Sequence, residues 1–137
     1  DLDLAVQQDS QNPVYYVQYA HARICSILKN LAADGITPRE CTSEELSLLT
    51  TPEELELIRY ISSYTGEVTA AAKTLDPAKI TKYVMNLSTL FHKFYNACRV
   101  KGVDESLSAA RLYLCLATRT VLENALELFK VTAPESM

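Results

Sequence analysis

The chain has 137 residues, of which 48% are hydrophobic and 22% charged, a length and balance that fit one folded domain with a single core and exclude a disordered chain. No run of about 18 apolar residues occurs, which excludes a membrane-spanning helix. The net charge is −4, which argues against a protein that coats nucleic acid by bulk charge.

That average hides a gradient. Residues 1–70 hold four Lys and Arg against eleven Asp and Glu, and residues 71–137 hold nine against six. An anionic partner is therefore expected to meet the second half, together with isolated cations such as Arg23. The opening "DLDLAVQQDS" is acidic and has neither a basic n-region nor a long apolar h-region, so no secretory signal is expected. The chain also lacks an initiator Met and reads as a piece of something longer. The cysteines, Cys25, Cys41, Cys98 and Cys115, form no C-x-x-C pair. With no secretion signal, the expectation is free thiols in a reducing cytoplasm.

Helical periodicity runs through the chain and strand-like alternation does not. The first helix is predicted to start at Asn12-Pro13, a capping residue followed by Pro at the first helical position. Val17, Ala20, Ile24, Leu28 and Leu31 carry it forward, and Asp34-Gly35 ends it. A connection follows, with one short helix from Ser43. Thr51-Pro52-Glu53-Glu54 predicts a second start with a capping box. Leu55, Ile58 and Ile61, with Leu57 and Tyr64 beside them, are its expected apolar stripe. Gly66 is expected to break it before a shorter helix over 68–74.

Asp76-Pro77 repeats the cap-plus-Pro signal. Ile80, Val84, Leu87, Phe91, Phe94 and Cys98 predict a helix to about Arg99, with Gly102 ending it. Asp104, Glu105 and Ser106 open the last helix. Leu107, Ala110, Leu114, Ala117, Val121, Ala125 and Leu128 share one face, and Leu112, Leu116 and Leu122 make it apolar on other sides too. A helix apolar nearly all round is central in a bundle. The expected fold is all-α, a compact bundle of four main helices plus one or two short ones.

Catalytic chemistry finds little support. His21 and His92 are the only histidines. No nucleophile elbow, phosphate-cradling Gly loop or helical metal-ligand spacing accompanies them. No metal site is expected, and no cofactor.

The stretch "NPVYYVQYAHARICSIL", residues 12–28, is the densest aromatic motif. At about 100° per residue, Val17, Ala20, Ile24, Ile27, Leu28 and Leu31 form a dry stripe. Tyr16, Tyr19 and Arg23 form a ridge beside it, and His21 lies on the opposite flank. Two readings of the ridge stand open. It is an amphipathic core edge with a snorkelling Arg, or a stacking platform with a cation for unpaired bases. In "LFHKFYNACR", residues 90–99, Tyr95 sits at the edge of the core stripe and Asn96 faces away. Arg111, set among Leu, Ala and Tyr, reads as an internal anchor rather than a ligand contact.

Together "NPVYYVQYAHARICSIL", "DPAKITKYVMNLSTLFHKFYNACRV" and "AARLYLCLATRTVLENALELFKVTAPESM" resemble the C-terminal anticodon-binding domain of arginyl-tRNA synthetase, the all-α type called DALR. The tetrapeptide behind that label is absent, with Ala109-Ala110-Arg111-Leu112 near its place. The resemblance implies an anticodon-loop platform in which Tyr16, Tyr19 and Tyr95 stack on unpaired bases. Arg23 and Asn96 would supply polar or cationic contacts, and Met137 a contact from the chain end. His21 would pack internally or against a neighbouring domain.

The resemblance also implies that residues 1–11 are the end of a catalytic domain and that 12–137 form the anticodon-binding domain. Its partners would be the tRNA-Arg anticodon loop and that catalytic domain, which would use ATP with Mg. Neither a HIGH-like nor a KMSK-like signature is present, so this chain would not activate arginine. Apolar surface left uncovered would allow weak self-association. The alternative from another class is a helix-bundle protein-interaction module using the acidic 44–56 stretch.

Overall fold

The computed structural model describes residues 12–74 and 76–128, and these form six helices and no strand. Residues 1–11 and Met137, named above, lie outside the described residues. The helices are α1 (Pro13–Ala33), α2 (Ser43–Leu46), α3 (Pro52–Ser62), α4 (Tyr64–Thr74), α5 (Pro77–Ala97) and α6 (Glu105–Leu128). No helix among the described residues is long and apolar enough to cross a membrane.

The predicted caps account for the boundaries. The Asn12 side chain accepts from Val14 N at 3.0 Å, and Pro13 follows with no N–H to satisfy. At the other end of α1, Gly35 N donates to Ala32 O and Ile36 N to Leu31 O. That pair of bonds is a Schellman motif. It requires the left-handed φ of 81° that Gly35 adopts, where a Cβ would be strained. Thr42 with Glu45 and Thr51 with Glu54 form complete capping boxes on α2 and α3. Asp76 and Asp104 accept from Ala78 N and Ser106 N at the starts of α5 and α6.

Two boundaries differ from the sequence reading. The break after α3 falls at Ser63, and Gly66 lies inside α4. At the break the Tyr60 carbonyl accepts from Ser63 N and from the Ser63 and Tyr83 hydroxyls, partners that compete with a continuing helical bond, whereas Gly merely tolerates helix. Helix α5 stops at Ala97, with Cys98 already extended at φ −122° and ψ 111°. Gly102 instead serves the turn into α6 at φ 83°.

The core forms where α5 and α6 meet the other elements. Helix α6 packs on α1, α2, α3 and α5, as its all-round apolar surface predicts. Helix α5 is as central, packing on α1, α3, α4 and α6. Phe91, Phe94, Leu87, Leu57, Ile24 and Leu122 are fully buried, each stabilising the fold by roughly 1.5–3 kcal/mol through removal from water. On α3 the inward residues are Leu57 and Glu54, while Leu55, Ile58 and Ile61 are half-buried. The expected stripe is therefore rotated, because Arg111 draws Glu54 inward. Leu128, assigned to the buried face of α6, is 57% exposed and lines an open groove with Tyr64 and Val68 of α4.

Candidate nucleic-acid interface

The ridge on α1 lies against α5. The Tyr16 hydroxyl is 3.1 Å from Thr89 Oγ1. Thr89 donates onward to the Met85 carbonyl, so Tyr16 is the donor of that pair. The Tyr16 ring meets His92 edge-on at 6.1 Å between centroids. Two turns along, Arg23 Nη1 donates to His92 Nδ1 at 2.7 Å, and its guanidinium carbon lies 5.6 Å from the centre of the Tyr95 ring. Tyr95 stacks on the buried Phe91 with only 11° between ring planes. Tyr16, Arg23 and Tyr95 are thus brought into one cluster spanning two helices.

Tyr19 lies on the solvent side of this cluster with 49% of its surface exposed. A ring exposed to that degree on a rigid helix is available for stacking. Asn96 is exposed next to Tyr95, facing outward as its position predicts. Arg23 has five N–H donors and uses one on His92. Among the described residues the others have no hydrogen-bond partner.

His92 is the residue that sequence reasoning missed. In the sequence it is only one of two histidines without a catalytic motif; in the fold it touches Tyr16 and Arg23 and joins the cluster. Because arginine only donates, Nδ1 must accept and the proton sits on Nε2, so the ring is neutral. Burial, with the Arg23 charge beside it, holds the imidazole below the ordinary histidine value. Nε2 is buried with no hydrogen-bond partner among the described residues. Its three-residue spacing to Tyr95 put both on one face of α5; only that signal was available.

The other two polar residues raised above resolve inward. His21 is 1% exposed and pairs through Nε2 with Glu123 Oε1 at 2.8 Å, so it ties α1 to α6. Arg111 donates through Nε to Glu54 Oε2 at 2.8 Å and through Nη1 to the Arg99 carbonyl at 2.7 Å. Among the described residues no group of three His, Cys, Asp or Glu side chains is placed to hold a metal ion.

This bundle is an all-helical domain of the kind found in arginyl-tRNA synthetases. It superposes on Thermus thermophilus arginyl-tRNA synthetase with a TM-score of 0.74 and 31% identity, covering 89% of this chain and 21% of that one. The family model described as the DALR anticodon binding domain matches residues 17–137, and the chain belongs to that family. Over all 137 residues it is 53% identical to the arginine–tRNA ligases of Ruminiclostridium cellulolyticum and of Caldanaerobacter subterraneus subsp. tengcongensis. It spans about a quarter, 24%, of the length of these curated relatives.

Proposed function

We propose that this domain grips the unpaired anticodon bases of tRNA-Arg on the α1–α5 edge and serves an arginine–tRNA ligase. The catalytic part of that parent protein would join arginine to the tRNA using ATP with Mg in the cytoplasm, and this domain would supply tRNA binding only. The observation that carries the reading is an exposed Tyr19 ring one helical turn from Arg23, whose guanidinium His92 and Tyr95 hold in place. Tyr19 offers a base a face, and Tyr95, stacked on Phe91 with Arg23 over its ring, forms the rim beside it. Arg23 brings free donors for a base edge or a phosphate. Asn96 adds a donor and acceptor at the end of the edge, and Met137 a contact from the chain terminus.

Stacking on an aromatic side chain contributes roughly 1–3 kcal/mol per base, so binding by the domain alone is expected to be weak and to depend on which bases are unpaired. The test is a titration of the chain with tRNA-Arg and with a tRNA-Arg whose anticodon has been altered. Preference for the unaltered anticodon supports the reading, and equal affinity for both sinks it. RNA-independent capture of a protein partner that survives loss of Tyr16, Tyr19 and Arg23 would point instead to a protein-interaction module.

A further inference from the structure

The 42 residues of α1 and α5 contain no Asp or Glu, although the chain carries 17 acidic residues and a net charge of −4. The acids lie on the other elements and their connections. Several cations there are neutralised: Arg39 by Glu45 and Glu105, Lys101 by Asp34, Arg111 by Glu54 and Arg119 by Glu123. By contrast Lys79, Lys82 and Lys93 of α5 are exposed and form no ion pair with a described residue.

These lysines fall into a pattern. Lys82, Asn86, Thr89, Lys93 and Asn96 recur at spacings of four, three, four and three, which places them on one stripe of a helix. All five are exposed. From Lys82 to Lys93 the stripe runs roughly 17 Å along the axis. It borders the α1 ridge directly, since Thr89 holds the Tyr16 hydroxyl and Asn96 follows Tyr95. Helix stability does not explain the charge. Lys79 stands in the first turn of α5, where a cation opposes the helix dipole, and the acid at that end is the capping Asp76. At that end Glu67 shares an open groove with Lys79, Lys82 and Asn86, so it offsets part of their charge, and Lys93 lies along the stripe clear of that acid.

We infer that this stripe is a phosphate track: it holds the sugar–phosphate backbone of the RNA strand whose bases face Tyr19 and Arg23. Lys82 and Lys93 neutralise phosphates, and Asn86 and Asn96 hydrogen-bond to phosphate or ribose oxygens between and beyond them, while Thr89 holds the Tyr16 hydroxyl. The division is physical. Backbone contacts position a strand without reading it, and base contacts specify it. An acidic domain needs such a local cationic line, because its overall charge repels RNA. This inference rests on the anticodon-loop reading for the identity of the strand.

The experiment measures the affinity of the chain for tRNA-Arg and for the anticodon-altered tRNA at a series of salt concentrations. It compares the unmodified chain with Lys82→Gln/Lys93→Gln and with Lys101→Gln, whose lysine is already paired. Each lost phosphate contact on a single strand flattens the plot of log affinity against log salt by about 0.7. The double variant should therefore flatten it by about 1.4, weaken both RNAs alike, keep the anticodon preference and melt as before; Lys101→Gln should leave the slope alone. An unchanged slope in the double variant overturns the track even if anticodon preference is intact. A flattened slope with no anticodon preference in any chain keeps the track and removes the base-reading proposal. No RNA binding at 50 mM salt, where such contacts are strongest, overturns both.

Discussion

Arg111 on α6 donates through Nε to Glu54 on α3 at 2.8 Å, and Glu54 is completely buried. The same carboxylate accepts from Thr50 N and Thr51 N through its other oxygen, so one side chain caps α3 and pins it to α6. Arg111 is satisfied in turn by the Arg99 carbonyl, which fixes where the chain leaves α5. Removing Arg111 leaves a buried carboxylate without its counter-charge. Arg111→Met is expected to destabilise the domain by about 3–5 kcal/mol in urea unfolding. Arg111→Met/Glu54→Gln should recover much of that loss, because Gln keeps an oxygen for the cap and removes the stranded charge. A double variant no more stable than Arg111→Met would show that the pair's charge is not what matters.

The same pair sets a response to acid. Burial pushes the Glu54 carboxyl up, but the Arg111 hydrogen bond and the Thr51 donors outweigh it and hold the group below its ordinary value. A carboxyl depressed on folding stabilises fully above its unfolded value of about 4.3, and that stability is lost as pH falls through the folded value. His92, also depressed by folding, acts in the same sense from about pH 6.5 downward. The melting temperature should therefore be level between about pH 7 and 8 and fall progressively below that window. Above it, the buried Cys115 thiol and Tyr83 phenol, both pushed up to about 12, make it fall again as pH rises. Glu54→Gln should flatten the part below about pH 4, and His92→Gln the part between pH 5 and 7. A melting temperature that rises on acidification below about pH 7 contradicts both assignments.

Tyr19→Ala removes a ring that is half exposed. Melting should change by less than about 0.5 kcal/mol, as for other surface substitutions, while affinity for tRNA-Arg should drop by about 1–3 kcal/mol. Tyr95→Ala should lower both, since Tyr95 also stacks on Phe91. Loss of melting with unchanged affinity for Tyr19→Ala would return the ridge to a core edge.

Arg23 and His92 should act as a unit. His92→Gln and Arg23→Gln are each expected to weaken tRNA-Arg binding. Because the two side chains share one hydrogen bond, their effects should couple by about 0.5–3 kcal/mol in a double-mutant cycle. Strict additivity would mean that His92 does not position the guanidinium.

Leu57 is the apolar residue that α3 commits to the core, at 0% exposure. Leu57→Ala should cost about 2–5 kcal/mol, whereas Leu55→Ala, at a half-buried position, should cost less. Comparable losses would contradict the rotated face of α3.

By itself, the sequence determined the helices and most of their ends. Asn12-Pro13, Thr51-Pro52 with Glu54, and Asp76-Pro77 are local instructions, satisfied by backbone groups within a turn. Its apolar periodicity also selected α6 as a central element. Tyr16, Tyr19 and Arg23 could be placed on one ridge because helical geometry is fixed by the spacing of residues. The family resemblance then supplied their expected role.

What only the tertiary structure decided is which residues meet between helices. Nothing local turns Glu54 inward: its capping role would have kept it at the surface. Its burial follows from Arg111, 57 residues away. Likewise His92 becomes the support of Arg23 across a separation of 69 residues, a pairing that no periodicity within α5 can encode. The acid-free α1–α5 face arises the same way. Each helix merely lacks carboxylates, and packing them side by side makes a cationic edge on an acidic domain. Contacts of that range depend on how whole helices dock, and docking is settled by the complementarity of their buried faces.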